Sequence, residues 1–128
     1  MKINQKKLEA VLALPGPARY SHFIKVAADQ RKVWGLWDEG WAMAKTDNGE
    51  SVFPFWPAEE YAKACAVAEW SNYKPSEINL DVLFDELLPD FGRQGILAGV
   101  FPTPCSQGVT PELKLFESDL RQELGRIE

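Results

Sequence analysis

Few side chains here have the type and spacing that chemistry requires. His22 is the single histidine, and Cys65 and Cys105 are the two cysteines, 40 residues apart. An imidazole working as a general base needs a group to orient it and a proton within reach. On its predicted helix His22 shares a polar side with Arg19, Lys25 and Asp29, which reads as a solvated surface histidine. No G-x-S-x-G turn is present, and no carboxylate is placed to orient the imidazole, so Ser-His-Asp hydrolysis is not indicated.

Cys105 is the candidate catalytic residue. It stands in "TPCSQG", a few residues before a predicted helix N-terminus, where a loop thiol can be activated. Cys65 falls on the small-residue side of a helix and reads as packing. The cysteine spacing matches no zinc site, and two cysteines are too few for a secreted disulfide framework. The acidic pairs Asp38-Glu39, Glu59-Glu60 and Asp85-Glu86 fall in a turn, a helix first turn and a solvated helix face, so none implies a metal. Glycines occur singly or in "GPA" and "FGRQG", with neither a phosphate-cradling loop nor a dinucleotide fingerprint, and no cofactor is expected.

The elements that would position these groups follow from periodicity. "NQKKLEAVLAL" predicts a helix capped by Asn4, with Leu8, Val11 and Leu12 on one side, ending near Pro15. A second helix, started by Pro17, carries Tyr20, Phe23, Ile24 and Ala27 and is expected to pair with the first as a hairpin. From residue 32 the runs "KVWGLWD", "WAMAKT" and "SVFPFW" shorten and become aromatic, separated by turn residues, and they predict a three-stranded antiparallel meander with its tightest turn at Asn48-Gly49. Pro54 puts the third strand at an edge. Pro57 then opens a helix expected through Trp70, with Glu59 and Glu60 in its first turn.

"SEINLDVLFDELLPDFG" predicts a short extended stretch at Ile78 and a helix burying Leu80, Leu83, Phe84, Leu87 and Leu88, stopped by Pro89 and Gly92. "GILAGVFPTP" is a fourth strand, apolar enough for burial on both faces. "TPELKLFESDLRQELGRIE" is a closing helix capped by Thr110, with Leu113, Phe116, Leu120 and Leu124 in one stripe. Together these predict one α+β domain over residues 1–128: an N-terminal helical pair and an antiparallel, aromatic-rich sheet of about four strands with helices packed on it.

Charge and composition narrow the partners. The chain is 45% hydrophobic with a net charge of −5, and no apolar run approaches the ~20 residues that a membrane span needs. Neither a membrane role nor a signal peptide is expected, and a cytoplasmic location follows. Residues 1–58 carry 8 basic and 6 acidic side chains, residues 59–128 carry 6 and 13. The acidic second half disfavours nucleic acid, which needs a concentrated basic surface, and favours a basic protein partner.

The aromatic strands are the strongest binding feature. Phe53 and Phe55 oppose Val52, Pro54 and Trp56 by alternation, so both faces of the small sheet are apolar. Helices can cover both faces, or one face can close a homodimer. An exposed aromatic groove would instead suit a partner protein, and then Trp37, Trp41, Phe55 and Trp56 are its contact residues.

In the order "VWGLWDEGWAMAKTDNGESVFPFWPAEEYAKACA", "EWSNYKPSEINLDVLFDELLP" and "GVFPTPCSQGV", the chain resembles a bacterial family catalogued as domain of unknown function 2750. The resemblance extends over nearly the whole chain. It implies a small stand-alone bacterial protein and brings no catalytic residues with it. The functional expectation is a non-enzymatic protein-binding or adaptor module, possible forms being an inhibitor or immunity-type protein. The alternative is a small enzyme using Cys105 or a pocket carboxylate.

Overall fold

The computed structural model describes residues 3 to 127. Helix α1 (Gln5–Leu12) begins as its sequence dictates, the Asn4 side chain accepting the Lys7 N–H at 2.8 Å. Helix α2 (Gly16–Gln30) has Pro17 in its first turn and ends on Arg31 in the left-handed region. The two helices do not pair along their length as a hairpin. α2 lies along the closing helix α6 (Leu113–Ile127), where Tyr20 donates to Asp119 Oδ2 at 2.6 Å, and α1 leans on helix α3 (Glu59–Ala64).

The α+β class holds, but the strands pair differently from a meander. Strand β1 (Lys32–Trp37) runs antiparallel to β4 (Lys74–Asn79), with Val33 opposite Ile78. Strand β2 (Ala44–Lys45) pairs antiparallel with β3 (Ser51–Phe55), and β3 pairs parallel with β5 (Leu97–Val100), with Val52 opposite Leu97. The two sheets are stitched where Trp34 and Trp56 exchange both backbone hydrogen bonds at 2.8 Å. Parallel strands need a long crossover, supplied here by α3, β4 and the helices after it, and a strand covered on both sides can be a continuous apolar run like "ILAGV".

Three further departures concern single elements. The helix after Pro57 stops at Cys65; Ala68 takes a φ of 53°, and a single turn of 3₁₀ helix (Ala68–Trp70) turns Trp70 edge-on to Trp56, 6.2 Å away. Residues 74 to 79 are all strand because β1 supplies the partner, a pairing no local pattern reveals. Pro89 does not end its helix. α4 (Leu80–Val82), a π turn (Leu83–Leu87) and α5 (Leu88–Gln94) follow without a break, and Leu88 N–H reaches back to Leu83 O. The wide turn shifts the bonding frame just ahead of the residue that has no N–H to give.

The core lies between the inner sheet face and helices α2, α5 and α6. Phe53 and Phe55 stack on Phe91 at 5.2 and 6.2 Å, and Phe116 bridges Phe55 to Phe23 at 5.9 and 5.7 Å. No helix among the described residues is long and apolar enough to cross a membrane.

Candidate functional site

Alternation along β3 sends Phe53 and Phe55 into the core and turns Val52 and Pro54 the other way. That outer face is covered by loop and by one tryptophan. Residues 102 to 110 arch over it from the end of β5, Trp70 closes one side, and a recess of about 360 Å³ remains, floored by Ala44, Val52, Pro54 and Gly99. This volume falls in the range of small ligand pockets. Gly99 is required beneath it, because a Cβ there would lie 2.5 Å from Val52 Cγ1.

The arch is held from below by a buried cation. Arg19 is 5% exposed, donating from Nε to Phe101 O at 2.9 Å, from Nη1 to Leu14 O at 2.7 Å and from Nη2 to Ser106 Oγ at 3.3 Å. Among the described residues it takes part in no ion pair with a carboxylate, and the three oxygens it bonds are neutral. Phe101, fully buried, has a φ of 61°, a conformation that costs a bulky residue on the order of 1–3 kcal/mol. Its N–H donates to Phe55 O and its carbonyl accepts from Arg19, so the strained turn is pinned at both ends.

One residue further on, Pro102 O accepts from Trp56 Nε1 at 2.9 Å and from the Cys65 thiol at 3.4 Å. Burial pushes the Cys65 thiol up to about 11, against the smaller opposing effects of Trp56 and Arg19, so it is held neutral as a donor. The arch closes on itself through Thr103 and Ser106, and Val100 and Val109 exchange backbone bonds at its base.

Cys105 sits exposed on this arch, at the rim of the recess. Among the described residues, the lining holds one cation, Lys45, and neither a carboxylate nor an imidazole, so no base accompanies the thiol. Nor do the described residues gather three or more His, Cys, Asp or Glu side chains as a metal site would.

The four aromatic contact candidates separate. Trp37 is 44% exposed and stands edge-on to the half-buried Trp41, their rings 4.9 Å apart, beside the turn at Asp38 and Glu39. Phe55 and Trp56 are fully buried and offer no contact surface; α6 covers one and the arch the other. Two polar residues were also misplaced by helical periodicity. Arg19 is buried because its acceptors arrive from residues 101 and 106, and His22 is half-buried against Tyr61 and Phe101, with ring centroids at 6.2 and 6.3 Å.

Residues 20–120 match the family model described as Protein of unknown function (DUF2750). The chain belongs to this family. The DUF2750 match spans β1 to β5, the arch and the recess, and most of α6. Neither a curated protein nor a solved structure matches the chain.

Proposed function

We propose that this DUF2750 chain is a cytoplasmic, non-catalytic binding module that seats an extended segment of a partner protein in the recess under the 102–110 arch. What carries the reading is the outer sheet face: Val52, Pro54 and Gly99 form an apolar floor with loop above it, and Lys45 and Gln107 stand in the lining as polar groups. An apolar floor with a few convergent polar groups binds side chains well and lacks the acid–base pair a catalyst needs. The net charge of −5 favours a segment with basic flanks.

The test is selection of displayed peptides on the native protein, followed by affinity measurement before and after Cys105 is alkylated with a bulky maleimide. Peptides with an apolar anchor and basic flanks are expected, losing at least about tenfold in affinity on alkylation and weakening with salt. Peptides that bind the alkylated protein equally well would remove the recess as the seat. Cys105 itself supports a second reading, thiol chemistry on a ligand held in the recess. Retention of any turnover by Cys105→Ala would count against it.

A further inference from the structure

A cleft that shares no lining residue with the recess lies between α1, α2, β1 and α3, about 520 Å³ in volume, lined among others by Lys7, His22, Lys32, Trp34, Glu60 and Tyr61. Among the described residues, two buried side-chain nitrogen or oxygen atoms have no hydrogen-bond partner: Trp34 Nε1 and Tyr61 Oη. Both belong to residues of this one cleft. Unpaired buried polar groups are rare in folded proteins, and each calls for a reason. Packing does not supply one for Tyr61. Its ring lies against Phe101 at 5.0 Å and edge-on to His22 at 6.2 Å, contacts a phenylalanine would make equally well. The hydroxyl adds only an unsatisfied group.

We propose that this cleft is a second binding site, for a small ligand presenting an acceptor oxygen, a carboxylate or a neutral carbonyl, to Trp34 Nε1–H and Tyr61 Oη–H. Both groups can donate, so an acceptor oxygen is the partner that each of them lacks. Lys32, over the Trp34 ring at 5.4 Å and bonded to Glu77 at 2.9 Å, together with Lys7 favours an anionic oxygen, while Glu59 and Glu60 in the same wall oppose it. His22 supports a polar ligand of this kind: burial first, then the charges of Lys7 and Lys25, lower its pKa and keep the ring neutral. Both donor atoms are covered in the unliganded form, so the wall parts slightly to admit the oxygen.

The experiment follows the indole N–H resonances of the 15N-labelled protein during titration with acetate and, separately, with acetamide, at constant ionic strength. The chain has five tryptophans, and the Trp34 signal is assigned from Trp34→Phe or, should that variant not fold, from through-space contacts to Lys32. A saturable downfield shift of the Trp34 indole proton is expected with at least one probe, and it should vanish in Tyr61→Phe. Acetate alone would identify a carboxylate ligand, and response to both a carbonyl. Tyr61→Phe should fold with a melting temperature equal to or above that of the native chain, because it removes a buried hydroxyl that bonds nothing in the protein. The proposal is overturned if neither probe gives a saturable shift or if the shift survives in Tyr61→Phe. The recess under the arch plays no part in this test, so it can fail or succeed alone.

Discussion

Arg19 Nε stands 2.9 Å from the carbonyl oxygen of Phe101, 82 residues away in the chain, and this bond ties helix α2 to the strained root of the arch. Arg19→Ala would leave the oxygens of Phe101 and Leu14 without their donor. An unsatisfied buried acceptor costs roughly 1–3 kcal/mol, so a loss of about 2–4 kcal/mol in urea unfolding is expected. Amide exchange should accelerate at Thr103, Ser106 and Val109 before it does in β5. Arg19→Lys keeps the charge without the fork and should recover only part of the loss. Uniform exchange across the chain would mean that Arg19 supports the fold without positioning the arch.

The two thiols should behave as different chemical species. Cys105 is exposed and Cys65 is buried, so an aromatic disulfide reagent at pH 8 is expected to titrate one thiol quickly and the second only after denaturation. The folded-state pKa of Cys65, raised from about 9 to about 11, makes its contribution to stability complete below pH 9 and progressively lost as pH rises toward 11. Cys65→Ala should flatten that alkaline decline. Rapid modification of both thiols in the native protein would show that the arch opens readily.

Trp56 and Trp37 test which aromatics are structural. Trp56→Ala empties a fully buried site and removes the donor to Pro102 O, and about 3–5 kcal/mol of destabilisation is expected. Trp37→Ala removes only a half-exposed ring and its edge contact with Trp41, worth about 0.5–1.5 kcal/mol. Equal losses in thermal unfolding would move Trp37 into the core.

Mild acid should weaken the fold through His22. Its folded-state pKa is lowered, so below about 6.5 the unfolded chain takes up the proton first and stability falls with pH until the folded pKa is passed. The decrease in melting temperature between pH 7.5 and pH 5.5 should be larger for the native chain than for His22→Gln. An identical decrease in both would show that His22 titrates normally.

What the sequence disclosed was local. The Asn4 cap, the Pro17 start and the turn at Asn48-Gly49 all act within a few residues, although only Gly49 uses a positive φ, at 84°. The outward carboxylates of Asp81, Asp85 and Glu86 also followed from helical period. The pairings that failed were long-range. Nothing near Lys74 announces β1, and nothing near Arg19 announces two oxygens from beyond residue 100. The recess was illegible for the same reason: its floor and roof come from distant segments, while Cys105 was visible only as a loop thiol without its surroundings.

The parallel pairing of Val52 with Leu97 also governs when the recess can exist. Its floor is synthesised long before its roof, and the two meet only by closing a loop of roughly 45 residues, an entropic cost met before any contact in the recess forms. The chain therefore leaves the ribosome with the faces of Val52 and Pro54 uncovered. Only when the arch has been made and β5 has docked does that apolar strand face lose its exposure to water.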